Sequence, residues 1–242
     1  MKDRTLGTLI TGGTRGIGAA VARRLAADGH PLVLGYLSDE AAAVATREEI
    51  RALGVSCEIV AADITTDAGI AALFEAAGPL TGVVNNAGAT YRYAPLVDTP
   101  ADEIRRTYAV NLLGPTLVAR AAVSALSEGG VIVNISSGAA TLGSPGEYVH
   151  YAAAKAGIDA LTKGLGLEVA PLGIRVVAVA PGLTETDMHA NTGDPGRIAR
   201  MAPQIPIGRA GSPDEVAEAV AWLMSDKASY VTATTLRVTG GR

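Results

Sequence analysis

Short apolar runs of five or six residues alternate along this chain with longer alanine-rich segments of helical period, and that alternation restricts the fold more than any other feature. The runs read L-G-T-L-I-T from Leu6, P-L-V-L-G-Y from Pro31, S-C-E-I-V-A from Ser56, G-V-V-N-N from Gly82, V-I-V-N-I-S from Val131, R-V-V-A-V-A from Arg175 and T-L-R-V-T from Thr235. A strand with one wet face alternates apolar and polar side chains, whereas a strand covered by helices on both faces is apolar throughout. The pattern therefore predicts an α/β fold with a parallel sheet of about seven strands covered on both faces. With 242 residues, 48% hydrophobic and 18% charged, the chain has material for one large α/β domain or two small ones.

Punctuation places several elements. Thr99-Pro100-Ala101-Asp102 and Ser212-Pro213-Asp214-Glu215 each offer a hydroxyl N-cap, a proline in the first turn and an acid three residues on, and so predict helix starts. The first apolar run leads directly into Thr11-Gly12-Gly13-Thr14-Arg15-Gly16-Ile17-Gly18, followed by a helix expected over Ala19 to Asp28. Glycines there permit a tight turn and let backbone N–H groups approach a pyrophosphate at a helix N-terminus, where the dipole favours negative charge. Between Gly182 and Pro206 lies a stretch of prolines, glycines and polar residues long enough to read as a flap, with Met188-His189-Ala190-Asn191 placed to close on a substrate.

Composition excludes some functions. Twenty basic residues stand against 24 acidic ones, for a net charge of -4, without a Lys/Arg run that could track phosphates, so nucleic acid is not an expected partner. Cys57 is the single cysteine and reads as a small buried hydrophobe in a reducing compartment. The N-terminal M-K-D-R-T-L-G-T-L-I lacks the apolar stretch of a leader, and no segment keeps about 18 apolar residues together, so the expected location is cytoplasmic, away from membranes.

One further stretch, His150-Tyr151-Ala152-Ala153-Ala154-Lys155, sets a tyrosine and a lysine four apart in a chain of only four lysines. At that spacing both side chains lie on one helix face, either as an exposed pair or as an acid/base couple. Tyr148 has Ala152 where its lysine would be and reads as a pocket wall. His150 lies about 100° round the helix and points elsewhere. Near Asn111, Pro115 has no N–H for the carbonyl four residues back, so a kink is expected there.

Taken together, T-G-x-x-x-G-x-G at Thr11 to Gly18, N-N-A-G at Asn85 to Gly88, Asn111 in the fourth helix, Ser137, Y-x-x-x-K at Tyr151 and Lys155, and Pro181-Gly182 resemble the short-chain dehydrogenase/reductase family over nearly the whole chain. The resemblance implies a single doubly wound, Rossmann-type domain over 1–242 with a flap at about 183–206, a nicotinamide cofactor, and hydride exchange with a carbonyl or alcohol. It implies Asn111, Ser137, Tyr151 and Lys155 as the catalytic set, with Lys155 depressing the Tyr151 pKa and Ser137, rather than Ser136, meeting the substrate oxygen. At ~4 Å and an effective dielectric of ~20, one cation provides about 4 kcal/mol, the amount needed to bring a phenol from ~10 to neutrality. The implied cofactor residues are Gly12, Thr14, Arg15, Gly16, Ile17, Gly18, Tyr36, Ser38, Asp63, Ile64, Asn86, Ala87, Gly88, Tyr151, Lys155, Pro181, Gly182, Thr184 and Thr186.

The gap from Ser137 to Tyr151 is one residue longer than in many members and suggests a reshaped loop at Gly143-Ser144-Pro145-Gly146. Tyr36 stands where NAD-using relatives have an acid after the second strand, Asp39 falls three residues later in the next helix's first turn, and Arg15 is placed for a 2′-phosphate; NADPH/NADP+ is the expected cofactor. Leu126-Ser127-Glu128 and Pro171-Leu172 lack the basic residues of acyl-carrier-protein reductases, which favours a small free carbonyl or alcohol. A 3-oxoacyl-carrier-protein ketoreductase, a sugar-nucleotide isomerase or dehydratase, and a non-catalytic NADP-binding sensor are the alternatives. A homo-oligomer, tetramer or dimer, is expected, although Ala233 and Thr239 replace the family's usual glycine and aspartate.

Overall fold

The computed structural model describes residues 7–186, 188, 194 and 196–242. The leader reading at residues 1–6 and the expected flap residues His189, Ala190 and Asn191 lie outside the described residues. All seven apolar runs form strands: β1 (Gly7–Ile10), β2 (Leu32–Tyr36), β3 (Cys57–Ala61), β4 (Leu80–Asn85), β5 (Leu126–Ile135), β6 (Arg175–Pro181) and β7 (Thr234–Val238). They make one sheet in the order β3-β2-β1-β4-β5-β6-β7, every pairing parallel.

Adjacent residues along the strands feed opposite layers. Leu9, Val33, Val83 and Ile132 pack in one core cluster, and their neighbours Ile10, Leu34, Val84 and Val133 pack in the other. That is the two-residue period of a strand with both faces dry. The helices α1 (Gly16–Ala27), α2 (Glu40–Ala52), α3 (Asp67–Ala77), α4 (Ala101–Tyr108), α5 (Gly114–Ala125), α6 (Ala139–Leu142), α7 (Val149–Val169), α8 (Arg197–Met201) and α9 (Pro213–Met224) supply the covering layers. Cys57 is fully buried in the core, and burial pushes its thiol up to about 11, so it is inert.

The chain winds outward from β1 through β2 to β3, then returns to place β4 on the other side of β1. Loops leaving β1 and β4 therefore diverge, and a crevice opens at their carboxyl ends. Between β4 and β5 a buried amide pair ties the layers together. The Asn85 amide donates to the Pro115 carbonyl at 2.7 Å and to Asn134 Oδ1 at 3.2 Å, and the Asn134 amide donates to Thr162 at 2.9 Å.

Several local expectations are corrected. Helix α1 begins at Gly16, three residues early, because the glycine turn is itself wound into its first turn. β5 starts at Leu126 rather than Val131, pairing Leu126 with Leu80 across a register shift. Ser212 forms the full capping box with Glu215, but Thr99 does not cap α4: its hydroxyl turns back to the Pro95 carbonyl at 3.0 Å and Pro100 is the N-cap. The break expected before Pro115 is a π-helical turn at Ala109–Leu113, so Asn111 sits between α4 and α5. The widened turn lets the backbone pass the proline without ending the helical path.

Ala233 holds a left-handed backbone at φ 56 while its N–H donates to the Val176 carbonyl at 2.7 Å. A Cβ is disfavoured in that region, so Ala233→Gly relieves strain offset in part by greater freedom of the unfolded chain. The expected outcome is a gain of roughly 0.5–1 kcal/mol, read as a raised Tm; an unchanged or lowered Tm contradicts the strain.

Candidate active site

The turn after β1 is held shut by close backbone approach. A Cβ on Gly18 would lie 2.1 Å from the Gly12 carbonyl oxygen, so no other residue fits without moving the turn. The Thr11 hydroxyl accepts from the N–H groups of Asn86 and Ala87 at 3.0 Å each. In return the Asn86 amide donates to the carbonyls of Thr11 and Gly12 at 3.0 and 2.9 Å. The N-N-A-G segment thus clamps the glycine turn from the other side of the switch point. Helix α1 has no side chain capping its N-terminus and no acid in its first turn. Its first N–H groups are therefore available to an anion.

A cavity of about 710 Å³ runs from this turn across the carboxyl edge of the sheet. Every residue expected to bind the cofactor lines it: Gly12, Thr14, Arg15, Gly16, Ile17, Gly18, Tyr36, Ser38, Asp63, Ile64, Asn86, Ala87, Gly88, Tyr151, Lys155, Pro181, Gly182, Thr184 and Thr186. Ser137 lines it too. An elongated dinucleotide would fit that distribution, the uncapped α1 terminus offering its N–H groups to a pyrophosphate. Asn111 alone among the expected residues is not on the lining. It is fully buried, its Oδ1 accepts from the Ala89 N–H at 3.1 Å, and its amide donates to the carbonyls of Ala89 and Thr107 at 2.8 and 2.9 Å.

Ser136 and Ser137 divide as strand alternation requires. The Ser136 hydroxyl donates to the Lys155 carbonyl at 3.2 Å, whereas Ser137 is hydrogen-bonded to the Tyr151 hydroxyl. Tyr148 forms the wall predicted for it, its ring edge-on to Tyr151 with centroids 5.4 Å apart. Ser144 and Pro145, from the loop before α7, reach the same cavity, as does Met188. His150 is buried and does not line it. Among the lining residues that were not foreseen are Tyr93, Glu147 and Arg197.

A family model described as Enoyl-(Acyl carrier protein) reductase matches residues 12–242. The uncharacterized oxidoreductase YgfF of Escherichia coli is 44% identical, covering 97% of this chain and 98% of its own. The 3beta-hydroxysteroid dehydrogenase 1 of Eggerthella lenta is 41% identical over 100% of this chain and 94% of its own. A short-chain dehydrogenase from Burkholderia cenocepacia, solved in complex with NADP, superposes with a TM-score of 0.91 at 36% identity, covering 98% of this chain and 97% of that one. The chain belongs to the short-chain dehydrogenase/reductase family. It is an oxidoreductase of that family, acting on alcohol and carbonyl groups with a nicotinamide cofactor.

The electrostatics of the cofactor-free site differ from the sequence expectation. Tyr151 and Lys155 share one face of α7 but keep only 8% and 4% of their exposure. Burial, with the neighbouring Tyr148, drives the Tyr151 pKa upward; only the Ser137 hydrogen bond opposes this. Lys155 has a separate partner. Its Nζ lies 5.8 Å from the Tyr151 ring centroid, donates to the Ile135 carbonyl at 2.8 Å, and is itself lowered by burial to about 8. Loss of water from both groups outweighs their mutual help, because desolvation penalises each charged form.

The linkage has a definite sign. Below about pH 8 the folded protein holds Lys155 charged and bears the full penalty. From there to the ordinary lysine value the folded chain has lost a proton that the unfolded chain retains, and stability rises with pH. A shift of this size corresponds to about 3 kcal/mol. Lys155→Met in the cofactor-free protein should therefore raise Tm at pH 7 by several degrees, with the gain shrinking above pH 8. A lowered Tm at pH 7 contradicts a costly buried lysine.

Proposed function

We propose that this enzyme exchanges a hydride between NADPH and a small carbonyl or secondary alcohol. The observation that carries the reading is the convergence of Ser137, Tyr151 and Lys155 with the glycine turn on one cavity. A bound nicotinamide supplies or accepts the hydride. Tyr151 gives the substrate oxygen its proton during reduction and takes it back during oxidation, while Ser137 hydrogen-bonds the same oxygen. Lys155 holds the adjoining ribose and, when charged, favours the phenolate. Asn111 acts as a positioning residue, its side chain fixing Ala89 and with it the loop after β4. The segment 183–206 closes over the substrate as a flap.

NADPH is favoured over NADH because β2 ends in Tyr36, which does not repel a 2′-phosphate as a carboxylate would. Arg15 and Ser38 line the same end of the cavity. Asp39 has two tasks there: its Oδ1 caps α2 by accepting from the Ala42 N–H at 3.0 Å, and its Oδ2 pairs with Arg15 at 3.3 Å. A 2′-phosphate must compete with that carboxylate for the guanidinium. An assembly of two or four copies belongs to the same proposal and is supported by the exposed apolar side chains of Leu113 and Leu167. A reducing, cytoplasmic location is supported by the lone thiol of Cys57.

The test is oxidation of NADPH against a panel of ketones, keto sugars and keto thioesters, with Tyr151→Phe expected to fall below a tenth of wild-type kcat/KM while binding cofactor normally. A variant above that level removes Tyr151 from its role. A charge-assisted phosphate contact is worth roughly 1.5–3 kcal/mol, or about ten- to a hundredfold in favour of NADPH. Asp39→Asn keeps a capping oxygen but loses the competing charge, so it should widen the NADPH/NADH ratio of Kd, and Tyr36→Asp should erase it. Equal Kd values for both cofactors in the wild type contradict the preference.

A further inference from the structure

Opposite the glycine turn, the cavity is walled by a group of side chains that neither hydride nor proton transfer requires. Arg197, at the start of α8, is 5% exposed. Its Nη1 and Nη2 donate to the two carboxylate oxygens of Glu147 at 2.6 and 2.8 Å, and Nη2 also donates to the Tyr148 hydroxyl at 3.1 Å. The guanidinium carbon lies 4.5 Å from the Tyr93 ring centroid and 5.5 Å from that of Tyr148. Those two rings stack at 4.9 Å, and Tyr148 meets Tyr151 edge-on. A second backbone tie, from the Ala94 N–H to the Glu147 carbonyl at 2.8 Å, fixes the two loops to each other.

Two consequences follow from this geometry. A buried guanidinium in a substrate pocket would ordinarily recruit an anion, but here a bidentate carboxylate already occupies both terminal nitrogens and leaves Nε alone without a partner among the described residues. The pair is held ionised, since the Arg197 hydrogen bonds keep Glu147 below the usual carboxylate range. What this side of the cavity then presents is a wall of tilted and edge-on tyrosine rings backed by an ion pair that is neutral as a pair. The other formal charges among the described lining residues near Tyr151 are Lys155, bound to the Ile135 carbonyl, and Arg242, exposed to solvent. Another carboxylate or sulfonate brought against this wall would lose water and find its cation taken.

We infer that the Glu147–Arg197 pair is a specificity determinant that selects an uncharged, ring-bearing ketone or secondary alcohol and rejects anionic carbonyl compounds of the same shape. The inference rests on the oxidoreductase reading of the same site. Glu147 and Arg197 act as positioning residues: they shape the Tyr93/Tyr148 wall and cancel its charge. Specificity here comes from an unfavourable interaction with the wrong substrate as much as from contacts with the right one.

The experiment compares 4-acetylbenzamide with 4-acetylbenzoate, which match in outline and differ in charge, at saturating NADPH. In the wild type, kcat/KM for the amide should exceed that for the carboxylate at least tenfold. Glu147→Gln retains a hydrogen-bond acceptor for Arg197 but uncovers its charge. It should lower KM for the carboxylate about tenfold relative to KM for the amide, and Glu147→Asp should restore the wild-type order. Benzamide and benzoate titrated into the NADPH complex, followed by nicotinamide fluorescence, give the same comparison without turnover. A wild-type enzyme that binds or turns over the two members of each pair equally overturns the inference, whether or not the variants fold. Absence of turnover on every neutral carbonyl, with benzamide still bound in preference to benzoate, counts against the reductase reading and leaves the charge selection supported.

Discussion

Tyr151 and Lys155 stand one helical turn apart on α7, almost wholly withdrawn from water, and neither is comfortable in its charged form there. A phenol and an ammonium are placed where burial opposes the charged form of each. The site accepts this because Lys155 has the Ile135 carbonyl and Tyr151 has Ser137, so neither polar group is left without a hydrogen bond. The remaining charge stabilisation has to come from what binds in the cavity. The burial of both groups is thus a local cost in stability held within a large, dry sheet core.

Topology decides where that site lies. Because β1 and β4 are neighbours while the chain leaves them in opposite directions, the loops at their ends must separate. The glycine turn and the Asn86–Gly88 segment then face each other closely enough for Thr11 and Asn86 to exchange hydrogen bonds. Gly18 is essential to that approach, since its missing Cβ is the space the Gly12 carbonyl fills. β5 and β6 carry Ser137 and Pro181-Gly182 to the same edge, and α7 brings the acid/base pair across it.

Much of this was legible in the sequence. Strands buried on both faces must be apolar without alternation, so seven runs became seven strands. The Tyr151/Lys155 spacing placed both groups on one face because a helix admits little else. Every cofactor residue inferred from motif positions lines the cavity, since those motifs are loops at strand ends that the sheet order gathers together. What escaped depends on distance and solvation. Arg197 and Glu147 are fifty residues apart, and nothing local marks a buried arginine inside a polar-looking segment. Thr99 had the composition of a cap, but its hydroxyl found Pro95 first. The burial that raises Tyr151 and lowers Lys155 also escaped, because sequence fixes the offset of the two groups and says nothing of the water they lose.

The most direct test of this account is the ionisation of Tyr151 itself, followed as phenolate absorbance in the wild type minus that of Tyr151→Phe. Without cofactor, the difference should show no phenolate below about pH 10, the ordinary tyrosine value. With saturating NADP+, whose nicotinamide is positively charged, the midpoint should fall by roughly one pH unit or more, about 1.4 kcal/mol per unit. A Tyr151 that ionises at or below the ordinary value in the free protein, or whose midpoint NADP+ does not move, would contradict a site that burial leaves incomplete until the cofactor binds.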